Sequence, residues 1–123
     1  MNITHASFVT LPVSDQDRAL RFYRDLLGFE VTADLDLPQG RWLQVAPKGA
    51  QTVFTLSGPG MGGFEAGSAQ GIMLVTTDVD ADCARLAEAG VAVEGPGEFP
   101  WGRMASFADP DGNGLMLLTE AHQ

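Results

Sequence analysis

The apolar and polar positions along the chain form a pattern that occurs twice. Residues 8–15 and 71–78 are short, strand-type apolar segments that end in a Ser-Asp or Thr-Asp pair. Each pair is followed by an amphipathic stretch that closes on a glycine, Gly28 or Gly90. An Asp before the first turn and a glycine after the last turn are typical of helix ends. The pattern therefore predicts a strand followed by a helix in each half.

Three further strands are predicted after each helix. They span residues 29–35, 41–46 and 52–57 in the first half, and residues 91–94, 103–108 and 115–119 in the second half. Tight-turn sequences, Pro47-Lys48-Gly49-Ala50 and Asp109-Pro110-Asp111-Gly112-Asn113, join the last two strands of each half. Each half is therefore predicted to be a βαβββ unit.

The predicted fold class is α+β, with two tandem βαβββ units in one domain of residues 1–123. The units are expected at about 3–57 and 70–120, and the glycine-rich segment 58–69 is expected to link them. One helix covers only one face of a four-stranded sheet. We therefore expect the units to curl into a half-barrel sheet with the helices outside and a concave pocket inside.

Alternation along the strands separates core positions from pocket positions. Phe8 and Thr10 of the first unit are predicted to face the pocket, as are Gly71 and Met73 of the second unit. Met116 points the same way from the last strand. This apolar lining with small gaps suits a planar or apolar ligand, and it also suits a filled core.

Two tryptophans lie near strand ends beside arginines. Trp42 follows Arg41, and Trp101 precedes Arg103 by two residues. These side chains are predicted to frame the mouth of the pocket, where an indole stacks on a ligand and a guanidinium binds an anionic or planar group. The alternative is that each tryptophan seals a sheet edge or a subunit interface.

Composition excludes several kinds of partner. The formal net charge of −9 and the scattered basic residues argue against nucleic acid and anionic membranes. No apolar run approaches the roughly 20 residues of a membrane helix, and residues 1–5 lack signal-peptide features. The single cysteine, Cys83, cannot form an internal disulfide and lies on a helix stripe. We therefore expect a cytoplasmic protein with Cys83 in its core.

The residues resemble a known superfamily. The repeat, the stretch from Val9 to Tyr23 with Leu27-Gly28-Phe29, and Trp101-Gly102 leading into the turn 109–113 are similar to the vicinal-oxygen-chelate superfamily. Its members include glyoxalases, extradiol dioxygenases and bleomycin-resistance proteins. The resemblance implies the fold given above and a homodimer. It is less specific for function, because this fold hosts many chemistries.

Metal-dependent members of that superfamily place imidazoles or carboxylates on the first and last strands of each unit. The motif offsets put these positions at Phe8 and Gly71 on the first strands, at Met116 on the last strand, and at Thr55 or Val53 in the first unit. None of these side chains suits a hard or borderline divalent cation. We therefore predict no metal and no cofactor at this site.

Both histidines lie away from the predicted pocket. His5 stands at an odd offset from Phe8 and so points to the opposite face of its strand, while His122 and Glu120 lie near the C-terminal end. No Ser-His-Asp or Cys-His arrangement is present, which leaves catalytic residues unknown.

The predicted function is that of a metal-independent small-molecule-binding protein, similar to the bleomycin-resistance branch. It would sequester a drug or metabolite that is aromatic or cationic. A cationic ligand is expected because an acidic protein attracts positive charge. The alternative is a glyoxalase-like lyase or isomerase, or a dioxygenase-type enzyme, acting on an unknown small molecule.

Overall fold

The structure is a computed structural model that describes residues 1–121. The prediction that His122 lies away from the pocket therefore concerns a residue outside the described part of the chain. The chain divides into two compact units, Met1–Ser68 (unit 1) and Ala69–Gln123 (unit 2). The boundary falls inside the segment predicted to link the repeats. Each unit contains the elements of one βαβββ repeat, and the predicted α+β fold of two tandem units is confirmed.

Unit 1 consists of four strands and one helix. Its elements are β1 (Phe8–Pro12), α1 (Gln16–Leu20), a π-helical continuation of α1 (Arg21–Leu26), β2 (Glu30–Leu37), β3 (Gly40–Ala46) and β4 (Val53–Ser57). The strand order is β1-β4-β3-β2, with β1 parallel to β4 and the other neighbours antiparallel. Asp15 caps α1, because its Oδ1 accepts a hydrogen bond from the backbone N–H of Arg18 at 3.0 Å.

Unit 2 repeats this arrangement. Its elements are β5 (Ile72–Val75), α2 (Val79–Glu88), β6 (Glu94–Phe99), β7 (Gly102–Ala108) and β8 (Gly114–Glu120). The strand order, β5-β8-β7-β6, matches that of unit 1 position by position. Asp78 caps α2 through the backbone N–H of Ala81 at 3.0 Å. Within residues 1–121, no helix has both the length and the apolar character needed to cross a membrane.

The core of each unit lies between its helix and one face of its sheet. Leu11, Leu43 and Leu56 are fully buried in unit 1 together with Tyr23. Val79, Cys83 and Leu86 of α2 are buried in unit 2 with Leu115 and Leu117 of β8. Burial also raises the pKa of the Cys83 thiol, which keeps it protonated, and its predicted place in the core is confirmed.

One predicted strand was wrong in its extent. The strand expected at Val91–Glu94 is instead β6, which begins at Glu94 and continues to Phe99. The sequence Gly95-Pro96-Gly97 reads as a break, but β6 is an edge strand, where a proline without an N–H is tolerated. A register shift between Glu94 and Gly97 absorbs the irregularity. The strands β2, β3, β4, β7 and β8 begin and end within two residues of their predicted bounds.

The predicted tight turn between β7 and β8 contains a buried polar cluster. Asp109 and Asn113 are 5% and 0% exposed. The Asp109 carboxylate accepts hydrogen bonds from the backbone N–H groups of Asp111 (3.0 Å) and Asn113 (2.9 Å), and from the Asn113 side-chain amide (2.8 Å). The side-chain oxygen Oδ1 of Asn113 accepts from the backbone N–H of Ala69 at 3.0 Å. The turn therefore fixes β8 to β7 and to the start of unit 2.

Candidate functional site

The face of each sheet that points away from its own helix is called the open face here. In unit 1 it contains four of the predicted site residues. The β1–β4 register pairs Thr10 with Thr55 and Phe8 with Val53, and the β3–β4 register pairs Gln44 with Thr55. Trp42 lies two residues before Gln44 on β3 and shares its face. The structure thus brings Phe8, Thr10, Trp42 and Thr55 together.

Side-chain contacts order this open face. The rings of Phe8 and Trp42 meet edge to face, with centroids 5.6 Å apart. The Gln44 side-chain amide donates a hydrogen bond to the Thr55 hydroxyl at 3.0 Å, and Thr55 is 3% exposed. Phe8 remains 43% exposed and offers an apolar surface to solvent. The face is therefore an aromatic surface on which Gln44 and Thr55 are hydrogen-bonded to each other.

The open face of unit 2 is rich in methionine. The β5–β8 register pairs Met73 with Met116, and the β7–β8 register pairs Met116 with Ser106 and Leu118 with Met104. Met73 is 42% exposed, while Met116 is half-buried. Gly71, the remaining predicted residue of this face, directly precedes β5 and is exposed. Met104 and Ser106 were not predicted as site residues. Their alternation along β7 with Ala105 and Phe107, which are buried, is the pattern that could have identified them.

The sheet registers decide which residues correspond to a metal site. Met73 pairs with Met116 in unit 2 as Thr10 pairs with Thr55 in unit 1, so Thr55, rather than Val53, is the counterpart of Met116. The donor positions are thus occupied by a phenyl ring, a hydroxyl, a glycine and a thioether. This set does not fit a divalent cation. Within residues 1–121, no group of three or more His, Cys, Asp and Glu side chains is placed to hold a metal ion.

Arg103 does not join the open face. Its guanidinium donates to both carboxylate oxygens of Asp80 on α2, at 3.0 and 2.8 Å, and to Glu98 at 2.7 Å. Arg41 occupies the same place in unit 1, where it binds Asp17 at 2.7 Å and Asp34 at 2.8 Å. Each arginine shares the face of its strand with core residues, Arg41 with Leu43 and Arg103 with Ala105, and so lies on the helix side. The guanidinium predicted at the pocket mouth therefore connects the sheet to the helix instead.

These ion pairs predict a pH dependence of stability. The hydrogen bonds from Arg41 and Arg103 lower the pKa values of Asp34 and Asp80 below their usual range. A pKa lowered by folding stabilises the native state above the unfolded pKa, and this stabilisation is lost as the pH falls through the folded pKa. We expect the free energy of unfolding, measured in urea, to fall between about pH 5 and pH 2. A variant with Asp34→Asn and Asp80→Asn should show a shallower slope, and equal slopes would refute the assignment.

Trp101 lies in the turn before β7, beside the open face of unit 2. Its indole stacks on the ring of Phe99, with centroids 5.2 Å apart and planes at 17°, and its Nε1 donates to the sulfur of Met104. Trp101 is 56% and Phe99 46% exposed. Stacked rings that are exposed in this way present a flat apolar surface. Trp101 and Trp42 do not occupy equivalent positions, because Met104, not Trp101, corresponds to Trp42 on β7.

Two adjoining cavities lie on this side of unit 2. The larger, of about 520 Å³, extends from Gln70 and Gly112 to Ser106, and the smaller, of about 230 Å³, extends from Ser106 towards Phe99. Glu94, Ser106 and Met116 line both cavities, and Met104 lines the smaller one. Sequence reasoning missed Glu94, because its strand was predicted to end there. Cavities of this combined size accommodate a small organic molecule.

Comparison with known proteins identifies relatives along most of the chain. The family model described as Glyoxalase/Bleomycin resistance protein/Dioxygenase superfamily matches residues 3–117. The uncharacterized protein YetH of Bacillus subtilis (strain 168) is 32% identical over 111 residues, which is 89% of this chain and 92% of YetH. Both similarities include unit 1 and unit 2.

Similar solved structures also match nearly the whole chain. TnmS3, an antibiotic binding protein from Streptomyces sp. CB03234, is similar with a TM-score of 0.90 and 51% identity, covering 98% of this chain and 99% of TnmS3. A member of the same superfamily from Sphaerobacter thermophilus DSM 20745 is similar with a TM-score of 0.88 and 41% identity, covering 98% of this chain and all of that one.

Proposed function

The chain belongs to the Glyoxalase/Bleomycin resistance protein/Dioxygenase superfamily, and from this premise we propose that it binds and sequesters an antibiotic-like small molecule without a metal. The observation that carries the proposal is the open face of unit 2. At the positions where a metal-dependent relative needs imidazole or carboxylate, this chain has Gly71 and Met116. The surface around them is mainly apolar and contains the two cavities.

The chemistry of the lining supports binding rather than reaction. Thioether and aromatic side chains provide polarisable contacts for an apolar ring system, but they transfer no proton and polarise no substrate oxygen. On unit 1, the Thr55 hydroxyl is buried and accepts a hydrogen bond from Gln44. A ligand on either face therefore meets a surface that holds it mainly through burial of apolar area.

The antibiotic-binding description of TnmS3 indicates the kind of ligand. At 51% identity over nearly the whole of both chains, the two proteins share a fold and about half of their residues. We infer from this that the present chain binds a related class of ligand. The proposed binding residues lie on two separate open faces. On that of unit 1 they are the predicted residues Phe8, Thr10, Trp42 and Thr55; on that of unit 2 they are the predicted residues Gly71, Met73, Trp101 and Met116, with Phe99, Met104 and Ser106 added by the structure.

A binding titration tests the proposal. Doxorubicin, a fused-ring aromatic antibiotic, should quench the tryptophan fluorescence in a saturable manner with a Kd in the micromolar range or below, since Trp101 lies beside the cavity. The curve should be unchanged after dialysis against a chelator and after addition of Zn²⁺, Mn²⁺ or Mg²⁺, and the compound should be recovered chemically intact.

Three outcomes would contradict this function. Absence of quenching and of any thermal shift with doxorubicin and with a panel of fused-ring antibiotics would remove the binding proposal. Binding that appears only with stoichiometric metal would contradict metal independence. Conversion of the compound during incubation would favour the lyase, isomerase or dioxygenase alternative over sequestration.

We further propose that the protein is a homodimer of the cytoplasm. The edge strand β2 leaves Val31, Leu35 and Leu37 exposed outside the proposed binding residues, and exposed apolar side chains of this kind support association. A lone free cysteine is compatible with a reducing compartment. Light scattering at micromolar concentration should give about twice the monomer mass, and a monomer there would contradict the dimer.

A further inference from the structure

We propose that the ligand of unit 2 is a planar aromatic molecule that carries a protonated nitrogen, and that Glu94 binds this cationic group. The inference rests on the proposed binding function and specifies the class of ligand. It is carried by the position of one carboxylate among methionine and aromatic side chains, together with the arrangement of the basic side chains in the same unit.

The β6–β7 register places Glu94 on the open face. Glu94 pairs with Ser106, which in turn pairs with Met116, so the three side chains cross the sheet on one side. These three residues line both cavities of unit 2. Glu94 therefore stands where the two cavities adjoin, and a molecule that occupies either of them passes its carboxylate.

Glu94 is not neutralised from within the unit. Among residues 1–121 its carboxylate makes no hydrogen bond and no ion pair, and it is exposed. Unit 2 contains no lysine, and its arginines are Arg85 and Arg103. Arg85 lies on α2, and Arg103 is bound by Asp80 and Glu98 on the helix side of the sheet. Within unit 2, the carboxylate of Glu94 on the open face therefore has no described cationic partner, and a bound cation can pair with it.

The neighbouring side chains favour a flat cation. Phe99 and Glu94 both line the smaller cavity, and Trp101 stacks on Phe99 with nearly parallel ring planes. Ring faces attract cations as well as other rings, and methionine sulfur makes favourable contacts with aromatic ligands. A ring system against these side chains thus places its protonated nitrogen between an aromatic face and a carboxylate.

The charge of the unit acts in the same direction. Acidic residues of unit 2 outnumber Arg85 and Arg103 several-fold, and the whole chain has a formal net charge of −9. A field of this sign raises the local concentration of cations and lowers that of anions. A general field acts on every cation, whereas Glu94 acts on a charge held in the cavity. Variants separate these two contributions.

The experiment uses three fused tricyclic probes of similar shape and different charge: 9-aminoacridine, called aminoacridine and protonated on its ring nitrogen at neutral pH, as the cation, acridone as the neutral ring and anthraquinone sulfonate as the anion. The full-length protein should bind aminoacridine most tightly and anthraquinone sulfonate most weakly, as measured by calorimetry. Glu94→Gln should weaken aminoacridine about fivefold and leave acridone unchanged. Glu88→Gln, which removes the same charge from the exposed end of α2, should leave all three affinities unchanged.

Charge reversal makes the result directional. Glu94→Lys should weaken aminoacridine further and strengthen anthraquinone sulfonate, an inversion that simple damage to the fold does not produce. Equal aminoacridine affinities of the wild type and Glu94→Gln, or an equal loss in Glu88→Gln, would overturn the role of Glu94 while leaving the binding function intact. If none of the probes binds, the binding function itself fails and the inference fails with it.

Discussion

Replacing Asp109 by alanine should lower the free energy of unfolding by about 3 kcal/mol. The carboxylate is buried and accepts hydrogen bonds from two backbone N–H groups and from the Asn113 amide. Removing it leaves these buried donors without their acceptor, which costs more than the bonds themselves contribute. For a chain of 123 residues, urea unfolding should show this loss and the melting temperature should fall by about 10 °C.

A matched substitution separates this cluster from the general loss of a carboxylate. Asp36→Ala removes an exposed carboxylate from β2 and should change the free energy of unfolding by no more than about 0.5 kcal/mol. Asp109→Asn keeps the volume but places an amide against the Asn113 amide, so its effect should lie between the two. A loss below about 1 kcal/mol in Asp109→Ala would show that the cluster contributes little to stability.

Replacing Ser106 by phenylalanine should weaken ligand binding by about thirtyfold or more. Ser106 is small and half-buried, and it stands between Glu94 and Met116 in the lining of both cavities. A phenyl ring at this position projects into the space that the ligand occupies. Because aromatic residues are well accommodated in strands, and because Ser106 faces away from α2, the fold should persist.

The control for this variant is Ser106→Ala, which removes the hydroxyl without adding volume. Its affinity for doxorubicin should stay within about twofold of the wild type, since the proposed contacts are apolar. The melting temperature of Ser106→Phe should remain close to that of the wild type, so that lost binding is not attributed to unfolding. Unchanged doxorubicin affinity in a folded Ser106→Phe protein would exclude this face as the binding site.

The pocket residues were predicted unevenly from the sequence, and the reason is geometric. Alternation assigns faces within one strand, so Met73 and Met116 were correctly expected to share a face across β5 and β8. Which side chains of a neighbouring strand share that face depends on the register between the two strands. The sequence of one strand does not specify this register. Arg103 was therefore assigned to the pocket by its nearness to Trp101, whereas the β7–β8 register places Met104 and Ser106 there.

Glu94 shows the same limit at a strand end. Its neighbours Gly95 and Pro96 are residue types that usually end a strand. The sequence therefore predicted Glu94 as the last residue of a short strand. In the structure the register shift after Glu94 lets β6 continue, and pairing with Ser106 turns the carboxylate to the open face. Side-chain direction at such an irregularity is set by cross-strand hydrogen bonds rather than by local preference.

The sequence alone determined the two-copy βαβββ pattern, because strand alternation, helix caps and glycine ends are local properties that each half specifies for itself. It also identified Phe8, Gly71 and Met116 at the positions where the resemblance implies metal ligands, and it left Thr55 and Val53 as alternatives that the strand registers distinguished. Only the tertiary structure decided which side chains meet. The registers of β6, β7 and β8 bring Glu94, Ser106 and Met116 together, because cross-strand pairing and the register shift after Glu94 fix a phase that no single strand carries.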